Sequence, residues 1–324
     1  MILTFVLRRR SALKVLGPVI DAAQRRKHIA FLCLLEEPKE PFLPGDFDRW
    51  GLLNASYTYG QVFGTSIGLA TDDLVDVGVS SWFDNTLRPY ADGARVQCYL
   101  SDFHKQLHAQ NFPLDQQVIA RQPVVGWTMA DHRALSLAIP ESLSRKLPIQ
   151  IWETYSGERQ YLQPWHILFT LKRRVPEPWR RSVRGRAWYL EKVVGAWHQA
   201  KEAGLPLVIK TRRKHGDPWW LRLFGRVVGD EQMYPATSLQ LLAGASLCHH
   251  FMSGAHAEAR LMNVPVLNYR VPMTHVDGLP GYDLSYAMTM RGAEVSREQY
   301  GIALWGGYDD CKAGERVMDI VEAL

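Results

Sequence analysis

The chain has little of what would place it outside an ordinary globular class. Its four cysteines (Cys33, Cys98, Cys248 and Cys311) show no paired spacing. That speaks against a disulfide framework or a metal site and for reduced, buried thiols, two of them inside strand-like runs. No stretch approaches the roughly 18 apolar residues that cross a bilayer, so any membrane contact is expected to be peripheral. The opening MILTFVLRRR has too short an apolar run for the core of a signal peptide and reads as a first strand. There is no internal repeat beyond two similar βαβ openings, and no low-complexity tract. Charge of either sign is not in large excess. The formal net charge is +5 and the pI about 9.0, which favours an acidic partner such as a phosphorylated ligand, an anionic lipid or nucleic acid.

What is present is a repeated alternation of short apolar runs and helical patterns. At 324 residues the chain exceeds what one core usually supports, so two domains are expected. Ile2–Leu7 reads as a strand, Ser11 as the cap of a helix carrying Leu13, Leu16, Ile20 and Ala23, and Ile29–Leu35 as a second strand. This is a βαβ unit. Glu36–Trp50 reads as loop, and the glycine-rich stretch Asn54–Thr71 fits a short helix or an irregular loop equally well. Further strands are expected at Leu74–Val79, Arg95–Leu100, Val124–Thr128 and Ile149–Trp152. The first domain is drawn at 1–158, with Glu153–Trp165 as linker. A second runs over 159–305, and a helix over 306–324 is a candidate to pack back on the first.

The second half restarts the pattern with a strand at His166–Leu171, a basic loop over Lys172–Arg186 and a helix over Arg186–Ala203. That helix has Leu190, Val193, Val194 and Trp197 on its apolar face and Gly204 at its end. The densest stretch follows. Leu205–Ile209 is a strand closed by Lys210, Arg212, Arg213, Lys214 and His215. Thr237 or Ser238 suits the cap of a short helix, and Ser246–Phe251 is the next strand. Ser253 caps a helix over Gly254–Met262, Asn263 ends it in the left-handed conformation, and Val264–Tyr269 is a further strand. Such alternation gives parallel sheets, which bind ligands beyond the carboxyl ends of their strands. The basic cluster and the Ser253–Gly254 turn both fall at such ends, where an anion can be held.

These residues carry a resemblance. SGAHAEARLMNVPVLNYR (Ser253–Arg270) is similar to the donor-site helix of the GT-B nucleotide-sugar glycosyltransferases and their relatives. VIKTRRKHGDP (Val208–Pro218) resembles a segment of the CDP-glycerol glycerophosphotransferases. FVLRRRSALKVLGPVIDAAQRRKH resembles the first βαβ unit of such transferases, which has a Pro-Val pair in its first helix. The fold this implies is α/β and GT-B-like, two Rossmann-like doubly wound domains facing a cleft, with the nucleotide-donor domain second. There are departures. The glycerophosphotransferase histidine falls on Arg212, and that family's aspartate is missing from Phe251-Met252-Ser253-Gly254. The UDP-N-acetylglucosamine 2-epimerases, also similar here, carry two adjacent glutamates where this chain has only Glu258.

The resemblance implies donor-binding roles for several residues. Ser253 and Gly254 would meet the diphosphate, Glu258 the ribose hydroxyls, and His256 the donor from the same helix. Lys210, Arg212, Arg173 and Arg174 are candidate phosphate clamps, and Thr237 and Ser238 candidates for the base or a phosphate. His104, with Asp102 second, is the candidate base for the acceptor hydroxyl. Each has a plainer reading, as a helix cap, a solvated charge or a packed ring. Trp219 and Trp220 beside the basic cluster fit core packing, base stacking or a membrane interface. No metal or cofactor is expected beyond the nucleotide-linked donor, a nucleotide-activated sugar or CDP-glycerol. The acceptor class is a glycan or lipid-linked chain, and the location cytoplasmic, at or near the membrane face. Three function classes stand: a GT-B transferase, a UDP-sugar 2-epimerase, and a nucleic-acid binder. The last is disfavoured because the cations sit at strand ends rather than along one helix.

Overall fold

The computed structural model describes residues 1–34, 42–51, 53–56, 62–70, 75–81, 96–137, 149–153, 177–211, 219–251, 255–269 and 306–324. Among them are two parallel sheets. The first is built from β1 (Ile2–Leu7), β2 (Ile29–Leu34), β3 (Leu53–Ser56), β4 (Thr65–Leu69), β5 (Val77–Val79) and β6 (Val96–Cys98), in the order β3-β2-β1-β4-β5-β6. The second contains β7 (Ile149–Glu153), β8 (Leu207–Lys210), β9 (Arg226–Val228), β10 (Ala245–Phe251) and β11 (Val266–Tyr269), in the order β11-β10-β7-β8-β9. Numbered within its own sheet the second reads 5-4-1-2-3, so both are doubly wound Rossmann sheets. Each reverses strand order at one point, between β1 and β4 in the first and between β7 and β10 in the second.

The helices are α1 (Leu13–Arg25), α2 (Asp102–Asn111), α3 (Gln116–Arg121), α4 (His132–Leu137), α5 (Glu177–Glu202), α6 (Thr237–Ala243), α7 (Ala255–Leu261) and α8 (Ala313–Ala323). Helix α1 packs on one face of the first sheet, with Leu16, Val19, Ile20 and Ala23 against Leu3, Phe5 and Leu32. Helix α8 closes over α1 through Val317, Met318 and Val321. Arg25 and Arg26 hold it there with Glu315, and Arg26 also reaches Asp319 and Glu322. In the second sheet, Val193, Ala196 and Ala200 of α5 pack on Leu207 and Ile209 of β8.

Several expectations change. Ile149–Glu153 pairs with β8 and β10 in the second sheet, so the change of sheet falls before residue 149 and not after a strand of the first half. A short segment such as IQIWE shows strand propensity but not which neighbour it joins. Asn54–Thr71 contains β3 and β4, hidden by their glycine and serine content. Val124–Thr128 gives a single bridge from Val124 to Tyr99, and its end enters the 3-10 turn Thr128–Asp131. Helix α5 begins at Glu177, inside the expected basic loop; Pro178 is tolerated there because first-turn N–H groups have no partner to lose. Gly204 (φ 66°) and Asn263 (φ 59°) take the left-handed conformation after α5 and α7 as expected. The strand expected at His166–Leu171 and the linker beyond Glu153 lie outside the described residues.

Candidate functional site

The carboxyl ends of the two sheets face each other, and the chain that follows β1 meets the chain that follows β9. Arg10 leaves β1 and is almost wholly buried, 4% exposed. Its guanidinium donates to both oxygens of Asp46 at 2.6 and 2.8 Å, to the Asp230 carbonyl at 2.5 Å and to the Glu231 carbonyl at 2.6 Å. Five donors on a rigid fork suit one side chain to all four acceptors. The Asp230 carboxylate in turn pairs with Lys210 at the end of β8 (2.7 Å) and with Lys14 of α1 (3.6 Å). Three cations and two carboxylates therefore bridge the halves.

A second set of contacts, a few residues on, depends on two unusual positions in α1. Pro18 has no N–H, so the Lys14 carbonyl one turn earlier loses its helical donor. His132 Nε2 supplies the bond instead, at 2.7 Å. His132 Nδ1 accepts from the Ala236 N–H at 3.0 Å, which sets the neutral tautomer with its proton on Nε2. Burial lowers the pKa of this histidine to about 3; the Lys14 carbonyl bond opposes the shift without reversing it. Gly17, beside Pro18, leaves a notch filled by the Tyr234 ring, and a Cβ there would stand 2.5 Å from that ring. Tyr234 stacks on Trp50 with 5.6 Å between centroids and meets His132 edge-on at 4.7 Å. Its hydroxyl donates to Asp21 at 2.8 Å, which also accepts from the Trp50 indole at 2.6 Å and Arg49 at 2.9 Å. The loop Asp230–Ala236 of the second half is thus fastened to α1 of the first.

Among the residues singled out from sequence, Lys210 is only 2% exposed. Its ammonium is committed to Asp230 and to the Thr211 carbonyl (2.8 Å). The residue expected to clamp a phosphate is thus engaged with Asp230, and releasing it would cost the pairing of a buried carboxylate with its nearer cation. Thr237 and Ser238 do not cap α6, whose cap position is Ala236. The Thr237 hydroxyl instead exchanges bonds with Gln232, accepting from its N–H at 2.8 Å and donating to its carbonyl at 3.1 Å. Ser238 is buried. Both belong to the fastening loop and its helix.

His104 lies on α2 with none of its surface exposed, its ring 5.0 Å from that of Tyr99. Burial, with His108 nearby, lowers its pKa to about 3. The ring that was expected to serve as base is thus buried here, away from solvent. Its backbone N–H is what serves the local structure, bonding Ser101 Oγ at 3.0 Å as the cap of α2. Asp102 is exposed in the first turn of α2, where the helix dipole favours a carboxylate.

Of the remaining candidates, the described ones, His256 and Glu258, lie on the helix after the other strand-order reversal. There β7 ends at Glu153 and β10 at Phe251, neighbours in the sheet. The chain passes from Phe251 through residues 252–254 into α7. Ser253 and Gly254 lie outside the described residues, as do Arg212, Arg173 and Arg174. Glu258 is in the first turn of α7, half-buried, with Oε2 shielded from solvent. His256 is on the same helix, two residues earlier. Topology therefore brings the end of β10, and the start of α7 with Glu258 in its first turn, to the crevice position of a doubly wound sheet. Sequence reasoning missed Arg10, His132 and Tyr234. The pair Gly17-Pro18 inside an amphipathic helix was the available signal, since both residues disfavour a helix unless something packs there.

The fold can be compared with known proteins on this basis. No protein-family model and no curated protein sequence matches the chain. Among solved structures, the UDP-GlcNAc 2-epimerase from Methanocaldococcus jannaschii is similar over all of both chains, at 12% identity and a TM-score of 0.55. The S. aureus MnaA–UDP co-structure matches 99% of this chain and 96% of its own, at 9% identity and 0.55. The wall teichoic acid polymerase TagF matches all of this chain and 88% of its own, at 10% identity and 0.55. The chain has the GT-B fold: two facing Rossmann-like sheets, each parallel and doubly wound. At these identities the likeness is one of fold.

Proposed function

We propose that the protein is a metal-independent transferase that moves a glycosyl group from a nucleotide-activated donor to a surface-polysaccharide or lipid-linked acceptor, on the cytoplasmic side of the membrane. The observation that carries this is that β10 ends at the strand-order reversal of the second sheet and is followed by α7, with Glu258 in its first turn. In this reading the Ser253–Gly254 turn lets backbone N–H groups approach the diphosphate, whose charge grows as the donor bond breaks. Glu258 accepts from the ribose hydroxyls, its shielded oxygen strengthening that bond. His256 and Arg212, Arg173 and Arg174 remain donor-side candidates. Asp102, exposed in the first turn of α2, and the buried His104 two residues on are the candidates for acceptor base.

The test is thermal stability against UDP-, CDP-, GDP- and CMP-linked ligands. Saturating one of them, at about a hundred times its dissociation constant, should stabilise the fold by about 2.7 kcal/mol. Glu258→Ala should abolish that shift. No shift with any nucleotide, together with salt-sensitive binding of mixed polynucleotides, would replace the reading with nucleic-acid binding. An epimerase is the second reading, favoured by the structural likeness to the protein named UDP-GlcNAc 2-epimerase. Conversion of UDP-GlcNAc without any acceptor would decide for it. A CDP-glycerol donor is the third, and selective stabilisation by CDP-glycerol would point there.

A further inference from the structure

Trp219–Leu223 forms a 3-10 turn on the outer side of the second sheet, between β8 and β9. Its inward residues anchor it: Trp220 and Leu221 are buried against α5 and β8, and Phe224 meets Trp197 edge-on at 6.0 Å. Its outward residues are apolar as well. Trp219 is 62% exposed and Leu223 68%, and between them Arg222 is exposed, as is Arg226 just beyond. A short rigid turn thus holds a large aromatic and a leucine in water, framed by arginines. The charge around it is one-sided. Residues 211–228, TRRKHGDPWWLRLFGRVV, contain five Lys or Arg against a single Asp. That is a local +4 in a chain whose whole formal charge is +5.

The other exposed apolar group differs in this respect. Met1, Ile2, Ile29 and Phe63 gather at the amino ends of β1 and β2. The cations beside them, Arg25 and Arg26, are already paired with Glu315, Asp319 and Glu322 of α8. At the Trp219 turn the exposed apolar side chains stand beside two exposed arginines, Arg222 and Arg226.

We propose that this turn is a docking surface for an anionic lipid bilayer. Trp219 and Leu223 enter the headgroup–acyl boundary, where an amphipathic indole is favoured. Arg222 and Arg226, both exposed, meet the negative surface. The proposal stands apart from the transferase reading, because it concerns the outer edge of the second sheet and needs no nucleotide.

The experiment is flotation of the full chain with phosphatidylcholine vesicles, with and without about 30% phosphatidylglycerol, in low and high salt and without nucleotide. Binding is expected on the anionic vesicles only, and weaker in high salt. Arg222→Gln with Arg226→Gln should lower partitioning on the order of tenfold or more, since each basic residue near such a surface contributes roughly fivefold. Trp219→Ser with Leu223→Ser should lower it similarly and leave the melting temperature unchanged, as both side chains face solvent. Unchanged binding in either double variant would overturn the proposal. So would equal binding to neutral vesicles or no binding at all. Concentration-dependent self-association removed by Trp219→Ser would also overturn it and reassign the patch to a contact between copies.

Discussion

The two ends of the second sheet that face the first half are built on opposite principles. At the β8–β9 end, Lys210, Asp230, Glu231, Tyr234 and Ala236 all make bonds across the interface or within the loop that crosses it. Arg10, Lys14, Gly17, Asp21 and His132 receive them. At the β7–β10 end, β10 is followed by a short helix that carries Glu258 in its first turn. The first end spends its polar groups on holding the halves together. The second leaves chemistry-bearing residues at the place where doubly wound sheets take ligands. Conspicuous charge in the sequence is therefore a poor guide to the ligand end: Lys210, Arg10 and Lys14 are structural.

The comparison is broken most directly at the fastened end. Tyr234→Ala removes the ring from the Gly17 notch, its stack on Trp50 and the bond to Asp21, and should cost about 3 kcal/mol. Urea unfolding measures it, and a change below the error of the midpoint would show that the loop does not hold the halves.

Acid should act through two buried histidines, His132 at that end and His104 on α2. His104 and His132, lowered to about 3, take up protons far more readily once unfolded, near the ordinary value of 6.5. Their contribution is thus fully present above pH 6.5 and lost as pH falls from there toward 3. Between pH 7 and 5 each should cost about 2 kcal/mol. Urea midpoints across that range test this, and His132→Asn should flatten the profile. Gly17→Ala is the milder mechanical test, since its Cβ meets the Tyr234 ring and overpacking should cost about 1–3 kcal/mol.

The ligand end should respond in the other way. Glu258→Ala is expected to change unliganded stability by less than about 1 kcal/mol while removing the nucleotide-dependent shift. A large loss of stability without nucleotide would erase the distinction between the two ends.

Much of the fold was legible. The βαβ openings, the left-handed Gly204 and Asn263, and the strands around Leu207, Ala245 and Val266 follow from apolar periodicity and breaker residues, which act over a few positions. The strands β3 and β4 were not legible, because Ser and Gly in them weaken the pattern. Helix α2 was missed because DFHKQLHAQN is mostly polar, although Ser101 caps it. For the site, motif and topology agree at Glu258, in the first turn of the helix after β10. At Lys210 and His104 residue type suggested chemistry, and the structure adds that both side chains are buried, which no local pattern records.

The amino-acid sequence by itself determined that strands and helices alternate, that the sheets are parallel, and that a Ser-Gly turn follows one of their central strands. These depend on local propensity and on the period of the apolar residues. Only the tertiary structure decided that Ile149–Glu153 joins the second sheet, that His132 serves the carbonyl freed by Pro18, and that Lys210 is held by Asp230. Burial and pairing join residues far apart in the chain, and no local pattern records which partner a buried polar group will find.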